Sequence, residues 1–506
     1  MNLIDFFASL SWTTVTSVLF VGIEMIAIAS AVHAIWYVRS TQAAIAWVVG
    51  LISLPMVSIP LYWVFGRYRF QGYRESIREV GLKHKRSVAA INHELRTAPG
   101  ARSTDQRTPL EALADVLDTP IAEGTDAELL INGKAFYEGL VEQVRSAKRY
   151  VYLEFYIIRD DEIGRQLADA MIDRVQRGVT VRLLYDNIGS IGLSRRYIQR
   201  LTDAGVVVHP FDTQTMLSTR FQINFRNHRK IVVIDGHTSI VGGFNVGNEY
   251  TGNAGWTDHW RDTAVLLRGP ITRKVQAVFA GDYYWAVRQD LPEAHWKPTK
   301  PVEAAPDPPA PDHSATPQAG VTSPQARAAI CATGPADDHP RATMMFSTLA
   351  SSARERLWIT TPYLVPDETT LVSLLMARAR GVDVRILIPS IADHYSVFFA
   401  GFYYERELLD AGIRVGRYRE GLMHQKCWLV DNQLAVVGST NFDNRSLHLN
   451  FEIMAAVEDR AFVSEVEKML AEDFADATWA EPTDPASHPW RTRIGRVVAR
   501  LFSPIL

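Results

Sequence analysis

The feature that most limits how this chain can fold is an octapeptide that occurs twice. His228-Arg229-Lys230-Ile231-Val232-Val233-Ile234-Asp235 returns as His424-Gln425-Lys426-Cys427-Trp428-Leu429-Val430-Asp431, both of the form HxKxxxxD. The match continues past the aspartate, where Gly242-Gly243-Phe244-Asn245 and Gly438-Ser439-Thr440-Asn441 stand at one offset. The four residues between Lys and Asp are apolar in both copies and suit a short buried strand. Side chains alternate faces along a strand, so His228 and Lys230 share a face, as do His424 and Lys426. Asp235 and Asp431 have the opposite parity and stand at the strand end. Asp235-Gly236 signals a turn, with Ser239-Ile240-Val241 as the returning strand. On this reading His and Lys carry chemistry, and Asp anchors the turn or a neighbouring loop.

The repetition extends to the flanks. Tyr150 to Tyr156 reads as a strand, Ile163 to Gln176 as a helix and Val179 to Tyr185 as the next strand; Leu357 to Thr360 reopens the theme, with a helix leading up to Ala379. Arg177-Gly178-Val179-Thr180-Val181-Arg182-Leu183-Leu184 is echoed by Arg380-Gly381-Val382-Asp383-Val384-Arg385-Ile386-Leu387, and Asp203-Ala204-Gly205 by Asp410-Ala411-Gly412. Alternating strands and helices predict an α/β fold of two duplicated α/β/α lobes, residues 121–290 and 343–482, around one pseudo-symmetric site. The Pro/Ala-rich stretch 291–342, with Pro306-Asp307-Pro308-Pro309-Ala310-Pro311, reads as a flexible linker.

Two apolar segments precede the lobes. Residues 13–38 hold Glu24 and His33 as their ionisable groups besides Tyr37, and residues 42–65 hold no charge. Each is long enough for a transmembrane helix, so residues 1–66 are expected to form a membrane hairpin. Glu24 and His33, nine positions apart, fall on opposite helix faces, which suggests a protonated acid and an interfacial histidine. A basic connector follows over 67–120, with Arg67, Arg69, Arg74, Arg78, Lys83, Lys85 and Arg86 against Glu75 and Glu79, which puts the lobes in the cytoplasm. The tail 483–506 mixes Arg with apolar residues at near-helical spacing and suits an anionic membrane surface. A net charge of −3 gives no basic field for nucleic acid, and Cys331 and Cys427 make neither a disulfide framework nor a metal cluster.

Two converging His and two Lys suit phosphoryl-group transfer, one imidazole attacking, the other protonating the leaving alkoxide, with ammonium groups on the non-bridging oxygens. The paired HxKxxxxD motifs resemble the phospholipase D superfamily. Ala44-Ile45-Ala46-Trp47, Ser53-Leu54-Pro55 and Ile59-Pro60-Leu61-Tyr62-Trp63-Val64-Phe65-Gly66-Arg67 further resemble the membrane hairpin of bacterial cardiolipin synthases of that type. The resemblance implies a site of His228, Lys230, Asp235, His424, Lys426 and Asp431, with Asn245 and Asn441 at the phosphate. It implies His228 as the nucleophile and His424 as the acid, although the symmetry of the motifs does not say which does which. Glu452 matches the family's acidic partner of the imidazoles; its nearest counterpart is Asp262, six residues farther from its His. The substrates implied are phosphatidylglycerol and the product cardiolipin, in a bacterial cytoplasmic membrane, with no cofactor or metal. A phospholipase D-type hydrolase, a superfamily nuclease and a non-catalytic lipid-binding scaffold are the alternatives.

Overall fold

The computed structural model describes residues 12–38, 41–66, 70, 73, 75, 107–211, 224–252, 255, 257, 259–292, 295–296 and 326–481. The basic residues expected after the second apolar segment, residues 297–325 and the tail 483–506 lie outside them. The chain divides into two units, Met1–Gly72 with Thr213–Phe225, and Tyr73–Asp212 with Arg226–Leu506.

In the first unit the helix Trp12–Tyr37 is long and apolar enough to cross a membrane. The second apolar segment departs from the single helix expected: it forms Thr41–Ser53 and Pro55–Phe65, broken at Leu54. Pro55 explains the break, because its ring disfavours helical backbone at the preceding residue, and Leu54 sits at φ −139°, ψ 60°. Thirteen and eleven residues reach only about 20 and 17 Å each, short of a hydrocarbon core of about 30 Å. The pieces fold back on the long helix, where Tyr62 Oη is 2.5 Å from His33 Nδ1 and Trp63 Nε1 donates to Ser30 Oγ at 3.1 Å.

The second unit is a mixed α/β fold built on one large sheet. Its first half supplies β1 (Ile121–Ile131), β2 (Tyr150–Phe155), β3 (Thr180–Asp186), β4 (Val207–Phe211), β5 (Arg226–Asn227), β6 (Ile231–Ile234), β7 (Thr238–Gly242), β8 (Trp260–Arg261) and β9 (Thr263–Arg268). The second half supplies β10 (Ala326–Thr333), β11 (Arg356–Thr360), β12 (Leu364–Val365), β13 (Asp383–Pro389), β14 (Arg414–Tyr418), β15 (Leu422–Met423), β16 (Cys427–Val430), β17 (Leu434–Gly438), β18 (Phe442–Asp443), β19 (Asn450–Glu458) and β20 (Ala477–Trp479). Outward from the centre one side runs β1-β9-β7-β6-β2-β3-β4 and the other β10-β19-β17-β16-β11-β13-β14, with β20 at the far edge. The sides join where β1 and β10 pair antiparallel, Ile121 opposite Ala329.

Both faces of the sheet are covered, as the apolar runs require. Ile231 and Val233 of β6 face one core with Tyr150 and Tyr152, while Val232 and Ile234 face another with Val151 and Leu153. The first of these cores spans the halves, joining those residues to Leu429, Ile453, Phe279 and Phe462. Helices Ile271–Val287 and Arg460–Ala475 supply the last two side chains.

Two expected boundaries move. β10 lies inside the stretch read as linker and is a sheet strand between β1 and β19, so the second half begins at Ala326 rather than 343. Its Ala-rich sequence, Ala326-Arg327-Ala328-Ala329-Ile330-Cys331-Ala332-Thr333, lacks the bulky branched pattern that signals a strand. On the other side of the gap Leu291 and Trp296 pack into the shared core. The stretch read as connector also ends in structure. Helix Pro109–Val116 starts with a capping box between Thr108 and Glu111 and buries Leu110 and Leu113 in the second half's core.

Candidate active site

Each motif histidine is reached through a two-residue strand that pairs with the opposite half. β5 lies parallel to the start of β19, and the His228 amide donates to the Phe451 carbonyl at 3.0 Å. β15 lies parallel to β8, and the His424 amide donates to the Arg261 carbonyl at 2.7 Å. Each histidine therefore meets the carboxylate one residue farther along the other half's strand. His228 Nδ1 is 3.0 Å from both Glu452 oxygens, and His424 Nδ1 is 2.6 Å from Asp262 Oδ2. The pairing is crossed. Both carboxylates are fully buried.

The carboxylates are themselves held. Ser439 Oγ donates to Glu452 Oε2 at 2.6 Å and Asn450 Nδ2 to Oε1 at 3.3 Å, while the Thr263 amide donates to Asp262 Oδ1 at 2.8 Å. The first copy's Gly243 stands where the second has Ser439, and the reason is space. A Cβ on Gly243 would come within 2.1 Å of Asp262 Oδ1. The shorter acid goes with the glycine and the longer acid with the serine.

A carboxylate against Nδ1 fixes the tautomer: Nδ1 carries the proton and Nε2 presents its lone pair. Lys230 Nζ donates to the His228 carbonyl at 2.7 Å, and Lys426 Nζ donates to that of His424. Lys426 Nζ is also 2.8 Å from His424 Nδ1, but that nitrogen has one in-plane position and the carboxylate occupies it. Each ammonium keeps further donors for an anion. Tyr156 stands edge-on to His228 with ring centres 5.0 Å apart, and Trp260 packs 4.9 Å from His424.

Burial sets the protonation states. It pushes His228 down to about 4 against the pull of Glu452, and pushes His424 down too. Burial lowers Lys230 to about 7 and Lys426 to about 8, each opposed by Glu452 and Asp262. Burial works against ionising Glu452, yet His228, Lys230 and the Ser439 hydroxyl bring it below the usual carboxylate range. The resting arrangement is two neutral imidazoles, that of His228 beside an ionised Glu452.

The other expected residues divide. Asp235 and Asp431, read from the motif as site residues, stand at the far ends of β6 and β16, about 20 Å along the strand from their histidines. Asp235 accepts from the Lys148, Arg149 and Tyr150 amides at 2.8 Å each, and Asp431 from those of Arg354, Glu355 and Arg356 at 3.1, 2.8 and 3.0 Å. Both sit at left-handed φ, 54° and 52°. Their work is to pin the turn and the next strand. Asn245 braces the loop after β2, accepting from the Ile157 amide at 3.1 Å and donating to Tyr250 Oη at 3.0 Å. Asn441 is buried, and its Oδ1 has no hydrogen-bond partner among the described residues.

The description "Cardiolipin synthase, PLD-like domain" fits the chain twice, over residues 140–283 and 346–474. Cardiolipin synthase A of Pseudomonas aeruginosa is 40% identical over 496 residues, 98% of this chain and 97% of that one. The chain belongs to the cardiolipin synthase family. Cardiolipin synthase A of Pseudomonas fluorescens SBW25 is also 40% identical, over 94% of this chain and 95% of its own. Among solved structures, phosphatidylserine synthase of Haemophilus influenzae shares the fold, with a TM-score of 0.56 at 14% identity, covering 79% of this chain and all of that one.

Sequence reasoning missed part of this family member's site. Arg229, inside the first motif, is clamped by Asp282 at 2.7 and 2.8 Å, and Arg261, next to Asp262, by Asp473 at 2.7 and 3.1 Å. A signal existed: Ala280-Gly281-Asp282-Tyr283 and Ala471-Glu472-Asp473-Phe474 are echoes on corresponding helices. Asn227 was also passed over. Its amide donates to Asp186 Oδ2 at 3.0 Å, its side-chain nitrogen to buried Glu154, and its Oδ1 accepts from the Arg229 amide at 3.1 Å. The second copy has Met423 there.

Proposed function

We propose that this protein is a membrane-embedded phosphatidyltransferase that joins two phosphatidylglycerol molecules into cardiolipin and releases glycerol. The crossed His–carboxylate pairs carry the reading, because they leave an Nε2 on each imidazole available for in-line chemistry at phosphorus. His228 Nε2 attacks the donor phosphorus, the bond from phosphorus to the glycerol oxygen breaks, and His424, which takes up a proton at Nε2 as the phosphodiester anion binds, protonates the departing alkoxide. The glycerol hydroxyl of a second phosphatidylglycerol gives its proton to His424 and attacks phosphorus, breaking the P–N bond and freeing His228. The Lys230 and Lys426 ammonium groups neutralise the non-bridging oxygens. A bound phosphodiester anion raises the proton affinity of the depressed imidazole His424, which suits it to the acid role.

The palindromic strand order and the two matches to one domain description support an internal duplication, with one site shared by both halves. The Trp12–Tyr37 helix and the broken segment after it form a two-pass hairpin in this reading, with the basic residues after it holding the lobes on the cytoplasmic side.

The test uses purified protein in detergent with labelled phosphatidylglycerol, without added metal or nucleotide, and resolves the lipid products by mass. Cardiolipin with an equal amount of glycerol is expected, and His228→Ala abolishes both. Phosphatidic acid as the sole product would overturn the transferase reading in favour of a hydrolase.

A further inference from the structure

Outside the membrane unit, the described residues include seven large apolar side chains that are strongly exposed: Val116, Ile188, Ile191, Val372, Met376, Tyr395 and Phe399. Four of them fall on two short pieces of chain. Ile188 and Ile191, 45% and 81% exposed, lie in the turn after β3; Tyr395 and Phe399, 72% and 42% exposed, lie one above the other on the first turns of the helix Tyr395–Asp410 after β13. These are corresponding places in the two halves.

Both pieces stand at the histidine end of the sheet. Glu154 at the end of β2 lies opposite Ile231, the residue after Lys230, and parallel β3 leaves the sheet at the same edge. The turn is tied to the site: Ser190 Oγ donates to the carbonyl of Tyr156, whose ring abuts His228. In the second half Thr360 lies opposite Cys427, the residue after Lys426, and parallel β13 exits alongside. Asp393, just before the helix, accepts from Tyr363 Oη at 2.5 Å, and Ile391 packs on the first half's core. Two apolar tips, one from each half, therefore stand at the histidine end of the sheet.

Charge completes the pattern. Arg195 and Arg196, both exposed, occupy the first turn of helix Arg195–Asp203, four and five residues past Ile191. Cations there oppose the helix dipole, which favours acids at that end. Apolar tips beside exposed arginines suit an interface whose interior is hydrocarbon and whose surface is anionic.

We infer that Ile188, Ile191, Tyr395 and Phe399 form a lip that dips into an anionic lipid bilayer and seats the mouth of the site on it. The lip rests on the lipid-acting reading above but is tested without turnover. Cys331 and Cys427 are buried, so an introduced surface cysteine is the one that labels. Full-length Ile191→Cys, Tyr395→Cys and Met376→Cys proteins, each carrying an environment-sensitive fluorophore, are reconstituted into phosphatidylglycerol vesicles with brominated acyl chains. Met376 is the control, because it lies well along the helix Glu368–Ala379, which leads back towards the start of β13 at the opposite edge. Quenching at 191 and 395, and none at 376, is the expected result. Quenching at 191 and 395 no greater than at 376 would overturn the lip. Equal quenching in phosphatidylcholine vesicles would overturn its anionic preference. Repeating the measurement on a His228→Ala background separates the lip from the chemistry, since quenching must survive there even if cardiolipin synthesis does not.

Discussion

Glu452 and Asp262 each hold the Nδ1 of the other half's histidine, so each sets one tautomer and with it one chemical role. Glu452→Gln and Asp262→Asn are each expected to lower kcat by about 10³–10⁴-fold, the scale seen when an orienting carboxylate is lost from a catalytic histidine. The two variants differ in rescue. A donor with a nitrophenolate leaving group needs no protonation, so it should restore covalent-enzyme formation to Asp262→Asn but not to Glu452→Gln; the opposite pattern would exchange the roles of His228 and His424. The pH profile follows from the same residues. With His228 depressed to about 4, kcat/KM rises through that pH as the nucleophile loses its proton. It falls as His424, depressed by burial, loses the proton it must donate, and falls further through about 7 to 8 as Lys230 and Lys426 lose theirs. Lys230→Arg should move that second fall to higher pH, because guanidinium keeps its charge. Behind the site, burial and the nearby Asp282 carboxylate push Glu154 well above the usual carboxylate range, which favours its protonated form. Glu154→Gln should therefore leave thermal stability within about 1 kcal/mol of the parent, whereas Glu154→Ala, which strands Asn227 and opens a cavity, should cost about 2–4 kcal/mol.

At the level of elements, strand period and apolar runs made β6 and β16 legible, because the information lies within eight residues. The crossed contacts were not legible in the same way. His228 and Glu452 are 224 positions apart and His424 and Asp262 are 162 apart, and no local pattern encodes which acid meets which base. The longer offset of Asp262 reflects the first half's excursion through Asn248–Thr251, where the second half uses the compact helix Asn444–His448. β10 was missed for a different reason. Alanine is a poor strand former on its own, and here the small side chain is required by packing between β1 and β19. Ala329, fully buried opposite Ile121 and Ala456, should tolerate enlargement badly; Ala329→Leu is expected to cost about 1–3 kcal/mol in denaturant titration. The break at Leu54-Pro55 has a local signal in the proline, but charge and length alone, which marked residues 42–65 as one helix, do not register it.

At the level of the whole molecule, the halves are joined by the β1–β10 ladder and by a core that draws on both. A protease site introduced within residues 300–320 and cut after folding should leave the two fragments associated on a non-denaturing gel and still active. Dissociation on cutting would show that the ladder and core do not suffice. Neither half expressed alone should turn over substrate, because each would carry a histidine without its carboxylate. That dependence also allows the two halves to differ. Since each motif histidine reads its orientation from the other half, the two halves form a lock with two different keys. Glycine and aspartate on one side answer serine and glutamate on the other, and Asn227 has no equal at Met423. Covalent linkage turns a symmetric requirement into a division of labour, in which one imidazole can be tuned for attack and its twin for proton transfer without either losing its partner.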